Sequence, residues 1–396
     1  MSVLCVQTTV ENLQPIKVGG IFYQDFQFFQ VPASSPHDVE SLCMVDNVVY
    51  YHLLGTFPNF PEPIPPNRGE KCYNIQPVLN RGLGLVASRN IEPGEIIVTE
   101  RPVLVLPVNI PFPRFRSRPI TVLWNRLSEK QSSTTDFRKG IIDTNALGLQ
   151  FFSAPELDNR YAGIFPEISR CNHSCTPNAI YNFDPSHLAF HLTANKTIAQ
   201  GDEITIAYIE PLFPRTFRRT GFAGYHFFCT CPSCSLPEDK SLRSDALRTL
   251  IHDWVDPTVD IDGWEAHYDN TIRHTISNYG SKDSRIKAAS ISLTSPSTTP
   301  TDLRSVIHSG KQYYELCKSE DVHTDYIYHA LERVALAYAL LGEEDQFQDW
   351  GRRARIELRV LGFIAVGKSI LTDEEWGKAL ESPTRFIDSG MKNVLK

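Results

Sequence analysis

Three of the nine cysteines lie within six residues, in the stretch CTCPSC that contains Cys229, Cys231 and Cys234. Three thiolates at this spacing can bind a metal ion, and a closed structural Zn²⁺ site takes four tetrahedral ligands. A fourth ligand must therefore come from elsewhere in the chain. A group of unrelated buried thiols is the alternative. The spacing does not choose among the other cysteines, which are Cys5, Cys43, Cys72, Cys171, Cys175 and Cys317.

The stretch RCNHSCTPN, residues 170–178, brings amide, imidazole, hydroxyl and thiol groups together between aromatic-rich segments. Polar groups that are buried there need hydrogen-bond partners, because an unsatisfied buried group is unfavourable. Taken alone, the stretch is typical of a turn with satisfied polar side chains and one buried histidine.

Two further stretches could approach a ligand. NRGLGL, residues 80–85, has glycines that allow close backbone approach, although glycines also simply make turns. GDEITIAYIEP places Tyr208 at the end of a predicted strand, where a core or edge aromatic is the simpler interpretation. Each stretch by itself therefore favours a structural role.

The composition limits the class of protein. The chain has 396 residues, 41% of them hydrophobic and 21% charged, which is typical of a globular protein with two or three domains. Its net charge of -7 argues against bulk attraction to nucleic acid, since phosphate binding needs a clustered basic face. Two basic runs, PRFRSR at 113–118 and PRTFRR at 214–219, are interpreted as a solvated loop and a solvated helix face. The sequence thus carries no strong nucleic-acid signal.

The first residues lack a basic segment followed by a long apolar one, and no stretch approaches the ~18 apolar residues of a membrane span. We therefore expect no membrane association and a location in the nucleus, the cytoplasm or both. In such reducing compartments clustered cysteines are more often metal ligands than disulfides.

Hydrophobic patterning predicts two kinds of structure. Residues 1–70 are rich in proline and aromatics and predict an extension that either wraps a core or hangs free. From Tyr73 onward, short runs rich in Val, Ile, Tyr and Thr, separated by turns such as EPGE and QGDE, predict small β-sheets. Residues 120–162 are interpreted as mostly helical or irregular.

After CTCPSC the apolar residues recur every three or four positions. Leu331 to Leu341 and Phe347 to Leu361 form two apolar stripes separated by Gly342, which predicts a helical hairpin. A preceding helix is expected over Leu303 to Cys317, and residues 292–302 are predicted to be a linker or exposed loop.

The order of the motifs points to a family. GLGL, the EPGE turn, RCNHSCTPN, GDEITIAY and YHFFCTCPSC together resemble the SET-domain methyltransferases over about residues 73–236, specifically the SMYD-like branch with a zinc-binding post-SET segment. The resemblance implies a domain of small sheets that form a pseudoknot. The helical hairpins that follow have a unit size similar to tetratricopeptide repeats, so the predicted fold class is α+β, a β-rich domain followed by an all-α region. The implied regions are an N-terminal extension at 1–70, the SET domain at 71–211, the post-SET segment at 212–236 and a helical domain at 237–396.

The resemblance also implies roles for individual residues. Tyr208 matches the catalytic tyrosine, Tyr225 a second wall of the lysine channel, and Cys175 the fourth zinc ligand beside Cys229, Cys231 and Cys234. Two cofactors are implied: S-adenosyl-L-methionine and one structural Zn²⁺. The residues implied to bind S-adenosylmethionine are Arg81, Gly82, Leu83, Gly84, Asn145, Asn172, His173, Tyr208 and Phe227.

Two functions fit the resemblance. The first is a protein-lysine N-methyltransferase acting on a histone or another protein, expected to be a monomer. The second is a catalytically inactive SET scaffold that binds protein partners through its helical C-terminus. The SMYD branch has a MYND zinc module at a position that corresponds to about residues 107–140, where this chain has neither Cys nor His. A relative without MYND is therefore expected.

Overall fold

A computed structural model of the chain describes residues 26–31, 41–64, 70–108, 145–151, 161–222, 225, 227–255, 274, 276–279, 281–293, 295–324, 326–362 and 370–387. The chain divides into two compact units. The first comprises Met1–Ser88, Ile96–Cys171 and Tyr181–Leu192, and the second Arg89–Glu95, Asn172–Ile180 and Thr193–Lys396. RCNHSCTPN is thus nearly all in the same unit as the cysteine-rich stretch, from which it is separated in sequence.

Strands dominate the first half of the described chain. They are β1 (Phe26–Val31), β2 (Ser41–Asp46), β3 (Tyr73–Val78), β4 (Gly82–Ala87), β5 (Ile96–Glu100), β6 (Leu104–Pro107), β7 (Ala146–Leu149), β8 (Tyr161–Ile164), β9 (Asn172–His173), β10 (Ala179–Asp184), β11 (Ala189–Ala194) and β12 (Glu203–Ile206).

Helices dominate the second half. They are α1 (Asn47–Thr56), which lies early in the chain, α2 (Arg215–Gly221), α3 (Glu238–Val255), α4 (Lys282–Ser290), α5 (Pro300–Ser319), α6 (Tyr326–Leu340), α7 (Glu344–Leu361), α8 (Asp373–Glu381) and α9 (Pro383–Arg385). The predicted α+β class, with small sheets before helices, is confirmed. The pseudoknot and the tetratricopeptide likeness stay predictions.

The first unit contains a five-stranded sheet in the order β1-β2-β6-β8-β7. Strand β2, SLCMVD, is an almost entirely buried run that pairs antiparallel with β1 and parallel with β6. Asp46 caps α1 by accepting a hydrogen bond from Val49 N and also accepts one from the Tyr161 hydroxyl on β8. The segment predicted as an N-terminal extension therefore supplies two strands and a helix, because its apolar residues are buried in the sheet.

The remaining strands form smaller groups, as predicted. β3 and β4 make an antiparallel hairpin in which Tyr73 lies opposite Ala87, and Asn80 adopts a positive φ of 59° in its turn. β10, β11 and β5 form a three-stranded sheet. In the second unit, β9 runs parallel to β12 with His173 opposite Ile206.

The helices of the second unit share one apolar core. α6 and α7 form the predicted hairpin, and Gly342 turns the chain between them with a φ of 74°. α5 covers the predicted preceding helix and begins at a capping box formed by Thr299 and Asp302. The core is built by buried side chains such as Tyr313, Tyr328 and Trp376. Among the described helices, none combines the length and the apolar character that a membrane span requires.

Gly310 tests the packing of α5 on α6. A Cβ at this position would lie 2.4 Å from Val334 Cγ2 and 3.2 Å from the Ala330 carbonyl oxygen. We predict that Gly310→Ala destabilises the chain by about 1–2 kcal/mol despite the better helix propensity of alanine, because the stiff valine and the backbone must move. Thermal unfolding measures the effect. Gly55→Ala in α1, where no atom lies within 4 Å of the added methyl group, is the control and should not destabilise; equal loss in both variants would contradict this packing.

Candidate functional site

Four buried cysteines converge in the second unit. The sulfur atoms of Cys175, Cys229, Cys231 and Cys234 all lie within 4.8 Å of one another. Cys175 Sγ is 4.0 Å from Cys229 Sγ and 3.5 Å from Cys234 Sγ. All eight cysteines that the structure describes are free thiols, so these four are not joined by disulfides.

This geometry fits a zinc ion. Zn–S bonds of about 2.3 Å in a tetrahedron place two sulfurs about 3.8 Å apart, and the separations of 3.5 and 4.0 Å from Cys175 lie on either side of this value. Hydrogen bonds within the group lower the pKa of Cys234 to about 6, chiefly through Cys175, and hold the pKa of Cys231 well below its usual range. Hydrogen bonds to the other three cysteines raise the pKa of Cys175, and the pKa of Cys229 is raised as well. The group therefore favours two thiolates and two thiols, and a bound dication would favour ionisation of all four. The four cysteines can hold a structural zinc ion with no coordination position left for substrate.

Buried arginines supply positive charge around the sulfurs. Arg218 on α2 donates to the Phe213 carbonyl and to Ser233 Oγ, and lies 3.5 Å from Asp245. Burial alone would lower the pKa of Arg218, but the nearby charges of Cys175, Cys234 and Asp245 raise it. Its guanidinium is thus held in the charged form beside the thiolates.

A second arginine connects the cluster to the helical core. Arg248 on α3 donates to the backbone carbonyls of Cys175 at 3.0 Å, Pro211 at 2.6 Å and Glu320 at 3.1 Å. Its Nε also lies 3.4 Å from the carboxylate of Glu320, which follows α5. The Arg248 side chain is only 1% exposed, so if it were removed, water could not easily replace it as the donor to these carbonyls.

His173 joins the cluster to Tyr208. The backbone N–H of Tyr208 donates to His173 Nδ1 at 3.0 Å, so the neutral ring carries its proton on Nε2. That Nε2–H lies 3.2 Å from Cys175 Sγ and donates to it. The buried imidazole therefore fixes the strand end that carries Tyr208 to one of the four cysteines.

Aromatic rings surround this link. The rings of Tyr208 and Tyr225 have centroids 5.1 Å apart, and Phe227 lies 6.4 Å from Tyr208, edge to face. Phe222 packs against His173 at 4.6 Å and against Phe227 at 4.9 Å. Phe222 is 1% exposed, whereas Phe227 is 37% exposed. The group thus has a buried base and an accessible side, and its ring faces can stabilise a cation.

The pairing of β9 with β12 holds the motif in place. Asn172 donates to Glu203 at 2.7 Å, and Asn178 donates to the Glu203 carbonyl while accepting from Thr205 N. Ser174 N donates to the Ile206 carbonyl. Asn172, Ser174 and Asn178 are thus hydrogen-bonded to residues of β12, as expected for a turn with satisfied polar groups.

The other predicted residues belong to the first unit. Arg81 ends the β3–β4 turn, and Gly82 adopts a φ of 75° with open space where a side chain would lie. Leu83 is exposed and Gly84 is buried. Asn145 precedes β7, and its backbone carbonyl accepts a hydrogen bond from Ser169 Oγ.

The structure corrects the interpretation of one basic run. PRTFRR was expected to form a solvated helix face, but Arg218 is buried, Arg219 donates to the Cys234 carbonyl, and Arg215 donates to the Leu236 carbonyl. These arginines stabilise the cysteine-rich segment because they donate hydrogen bonds to its carbonyl and hydroxyl oxygens. Sequence reasoning also missed Phe222 and Arg248. PRFRSR and the region of 107–140 beyond residue 108 lie outside the described residues.

Comparisons with known proteins show what this region is similar to. Residues 82–209 match the family model of the SET domain. Histone-lysine N-methyltransferase set5 of Schizosaccharomyces pombe is 28% identical over 195 residues, which are 48% of this chain and 58% of the relative. Protein-lysine N-trimethyltransferase SMYD5 of Homo sapiens is 35% identical over 83 residues, or 20% of each chain. N-lysine methyltransferase SMYD2-B of Danio rerio is 37% identical over 81 residues, or 20% of this chain and 18% of the relative.

Each match therefore spans less than two thirds of the relative's length. The SET region of this chain contains Cys175, His173 and Tyr208, while Cys229, Cys231 and Cys234 follow it in sequence.

Removing one thiol tests the ligand set. We predict that Cys234→Ser loses one equivalent of zinc per chain, because three thiolates and a hydroxyl bind the ion far less tightly than four thiolates. Elemental analysis of the purified chain gives the zinc content. Cys72→Ser replaces a buried thiol of the first unit and is the matched control, which should keep the wild-type content. Unchanged zinc in Cys234→Ser would refute the ligand set.

Truncating His173 tests the link between the SET strand and the cluster. His173→Ala removes the acceptor of Tyr208 N–H and the donor to Cys175 and leaves a cavity beside Phe222. We predict a loss of about 2–4 kcal/mol in the free energy of unfolding and about tenfold weaker zinc binding. Urea denaturation and chelator competition measure the two effects. His308→Ala on the exposed side of α5 should change neither, and a silent His173→Ala would contradict the link.

Proposed function

We propose that this chain is an S-adenosylmethionine-dependent protein-lysine N-methyltransferase. The observation that supports it most is the position of Tyr208 within the SET region. Its backbone is bonded to His173 and its ring lies beside Tyr225 and Phe227. The names of the relatives, one a histone-lysine and others protein-lysine methyltransferases, agree with a lysine side chain as acceptor.

Methyl transfer to an amine is an in-line displacement, so holding the two reactants in contact supplies most of the rate. S-adenosylmethionine would supply the methyl group on its sulfonium. The residues proposed to bind it are those that the sequence resemblance implies, namely Arg81, Gly82, Leu83, Gly84, Asn145, Asn172, His173, Tyr208 and Phe227. Both ring nitrogens of His173 are already bonded, so its proposed cofactor contact is assigned to backbone atoms.

The features of these residues suit such a ligand. The open space above Gly82 admits a group close to the backbone, and Phe227 rests on Phe222 while keeping part of its surface accessible for an adenine ring.

Tyr208 and Tyr225 are proposed to act on the lysine. A lysine ammonium cannot attack, because its nitrogen has no free electron pair until a proton leaves. Apolar ring surface around the amine disfavours the charged form and lowers its pKa, which releases the proton to solvent. As positive charge appears on the nitrogen during transfer, the two ring faces and the Tyr208 hydroxyl can stabilise it.

Zinc is proposed to have a structural role only. Four thiolates complete its coordination, so its effect would be to fix the segment that carries Tyr225 and Phe227 near Cys175 and His173. This segment is proposed to be the post-SET element of a SMYD-like protein without a MYND module. The helical C-terminal domain, the monomeric state and a nuclear or cytoplasmic location belong to the same proposal.

Methyl transfer can be tested without knowing the substrate. The zinc-loaded chain is incubated with methyl-labelled S-adenosylmethionine and fractionated cell extract, and a purified histone mixture is tested in parallel. Label on a lysine of a protein supports the enzyme. The alternative, a SET scaffold that binds partners through its helices, predicts no label and no cofactor binding by calorimetry.

Tyr208 itself provides the sharpest variant. We predict that Tyr208→Phe lowers methyl transfer about 100-fold while cofactor affinity stays within twofold, because only the hydroxyl near the developing charge is removed. Tyr314→Phe on α5 is the control and should retain wild-type transfer. Undiminished transfer by Tyr208→Phe would exclude the hydroxyl from catalysis.

A further inference from the structure

A second group of metal-binding side chains lies in the first unit. Asp184 ends β10, His187 lies in the turn that follows, and His191 is on β11. One ligand atom from each lies within 4.8 Å of the others. The side chains are only 11%, 17% and 20% exposed, so they form a partly enclosed set and not three solvated groups.

The carboxylate of Asp184 is fixed so that one oxygen faces both imidazoles. Its Oδ1 accepts from Ser186 N at 2.9 Å and from Ser186 Oγ at 2.7 Å. Its Oδ2 lies 2.7 Å from His187 Nδ1 and 3.6 Å from His191 Nε2. The carboxylate is therefore held with Ser186 on one oxygen and the two imidazoles on the other.

The ring of His191 is oriented as in metal-bound histidines. Its Nδ1 lies 2.8 Å from the Thr99 hydroxyl on β5. A ligating imidazole typically gives its other N–H to an acceptor, and a hydroxyl oxygen can fill that role. The Nε2 lone pair then faces Asp184 Oδ2 at 3.6 Å, which is too long for a hydrogen bond. Two ligands on a tetrahedral ion with bonds of about 2.1 Å are about 3.4 Å apart, so a cation fits this gap.

Glu62 lies beside the other ring nitrogen of His187. Its Oε2 is 4.0 Å from His187 Nε2, whereas Asp184 Oδ2 faces Nδ1 of the same ring. Glu62 is therefore placed as an outer partner of a His187 that ligates through Nδ1, and not as a ligand. The backbone of Glu62 is attached to the same turn, because its N–H donates to the Ser186 carbonyl. Arg101 donates to the carbonyls of Glu62 and His187, so its positive charge is directed at backbone oxygens. Glu62 and Asp184 supply two negative charges against this one.

We propose that Asp184, His187 and His191 form a second site for a divalent cation, independent of the four cysteines, in which the ion replaces the proton between His187 Nδ1 and Asp184 Oδ2. Two imidazoles and a carboxylate are ligands that suit Zn²⁺ and other borderline ions, whereas Ca²⁺ and Mg²⁺ take mainly oxygen ligands. The bound ion would fasten β11 to the end of β10 and the turn between them. This inference does not depend on the proposed methyltransferase activity.

Metal counting tests the proposal on the full chain. After saturation with zinc and removal of the excess, the wild type should retain two equivalents by elemental analysis. The double variant His187→Ala/His191→Ala should retain one, and so should Cys231→Ser. His308→Ala, an exposed histidine of α5, should retain two. The second site would be overturned if the wild type bound one equivalent of zinc and Cys231→Ser bound none.

Two further measurements, Co²⁺ binding and the zinc affinity of Glu62→Gln, test the proposal if the double variant is unstable. Co²⁺ bound by thiolates has intense charge-transfer absorbance, which the double variant should keep while it loses the second equivalent of Co²⁺. Glu62→Gln preserves the shape of a side chain that is 41% exposed, and we expect it to weaken binding of the second ion about tenfold. Equal affinity in Glu62→Gln and wild type would exclude Glu62 as an outer partner of His187, and full cobalt content in the double variant would overturn the site.

Discussion

Four thiol groups lie together in the interior of the second unit, and their need for positive charge is the constraint on which the neighbouring structure depends. Sulfurs 3.5 to 4.0 Å apart, without disulfides, repel one another when ionised. A dication between them removes that repulsion. Arg218 adds a buried positive charge beside them, with Asp245 as its own counter-ion. The segment that carries Tyr225 and Phe227 is therefore held in place by residues that also contact the four cysteines.

The same constraint extends to the strands and the helices. His173 connects Cys175 to the backbone of Tyr208, and Arg248 connects the Cys175 carbonyl to α3 and to the end of α5. Cys175 therefore takes part in the four-cysteine group, in the β9–β12 region and in the attachment of the helical core. A helical C-terminus joined in this way supports the cysteine group.

Local patterns predicted those features that depend on neighbouring residues. The period of the apolar residues predicted the α6–α7 hairpin, alternating runs predicted the small sheets, and the spacing of CTCPSC predicted a group of thiols that could hold a metal ion. Features formed by residues far apart in sequence were not predictable in this way. Spacing could not select Cys175 from six candidates, and nothing in PRTFRR distinguishes a buried Arg218 from a solvated one. The strands before residue 70 were missed because proline-rich sequence surrounds the apolar run SLCMVD. The Asp184 group was missed because Asp184, His187 and His191 come together only when the β10–β11 turn has folded.

The affinity of the chain for S-adenosylmethionine, with and without an intact cysteine cluster, is the most direct test of the link between the cluster and the proposed site. Calorimetric titration compares the zinc-loaded wild type with Cys231→Ser, and circular dichroism establishes that the helical core is retained in both. We expect the wild type to bind and the variant to bind at least about tenfold more weakly, because the aromatic residues lose their attachment to His173 and Cys175. Equal affinities, or no binding by the zinc-loaded wild type, would contradict this expectation.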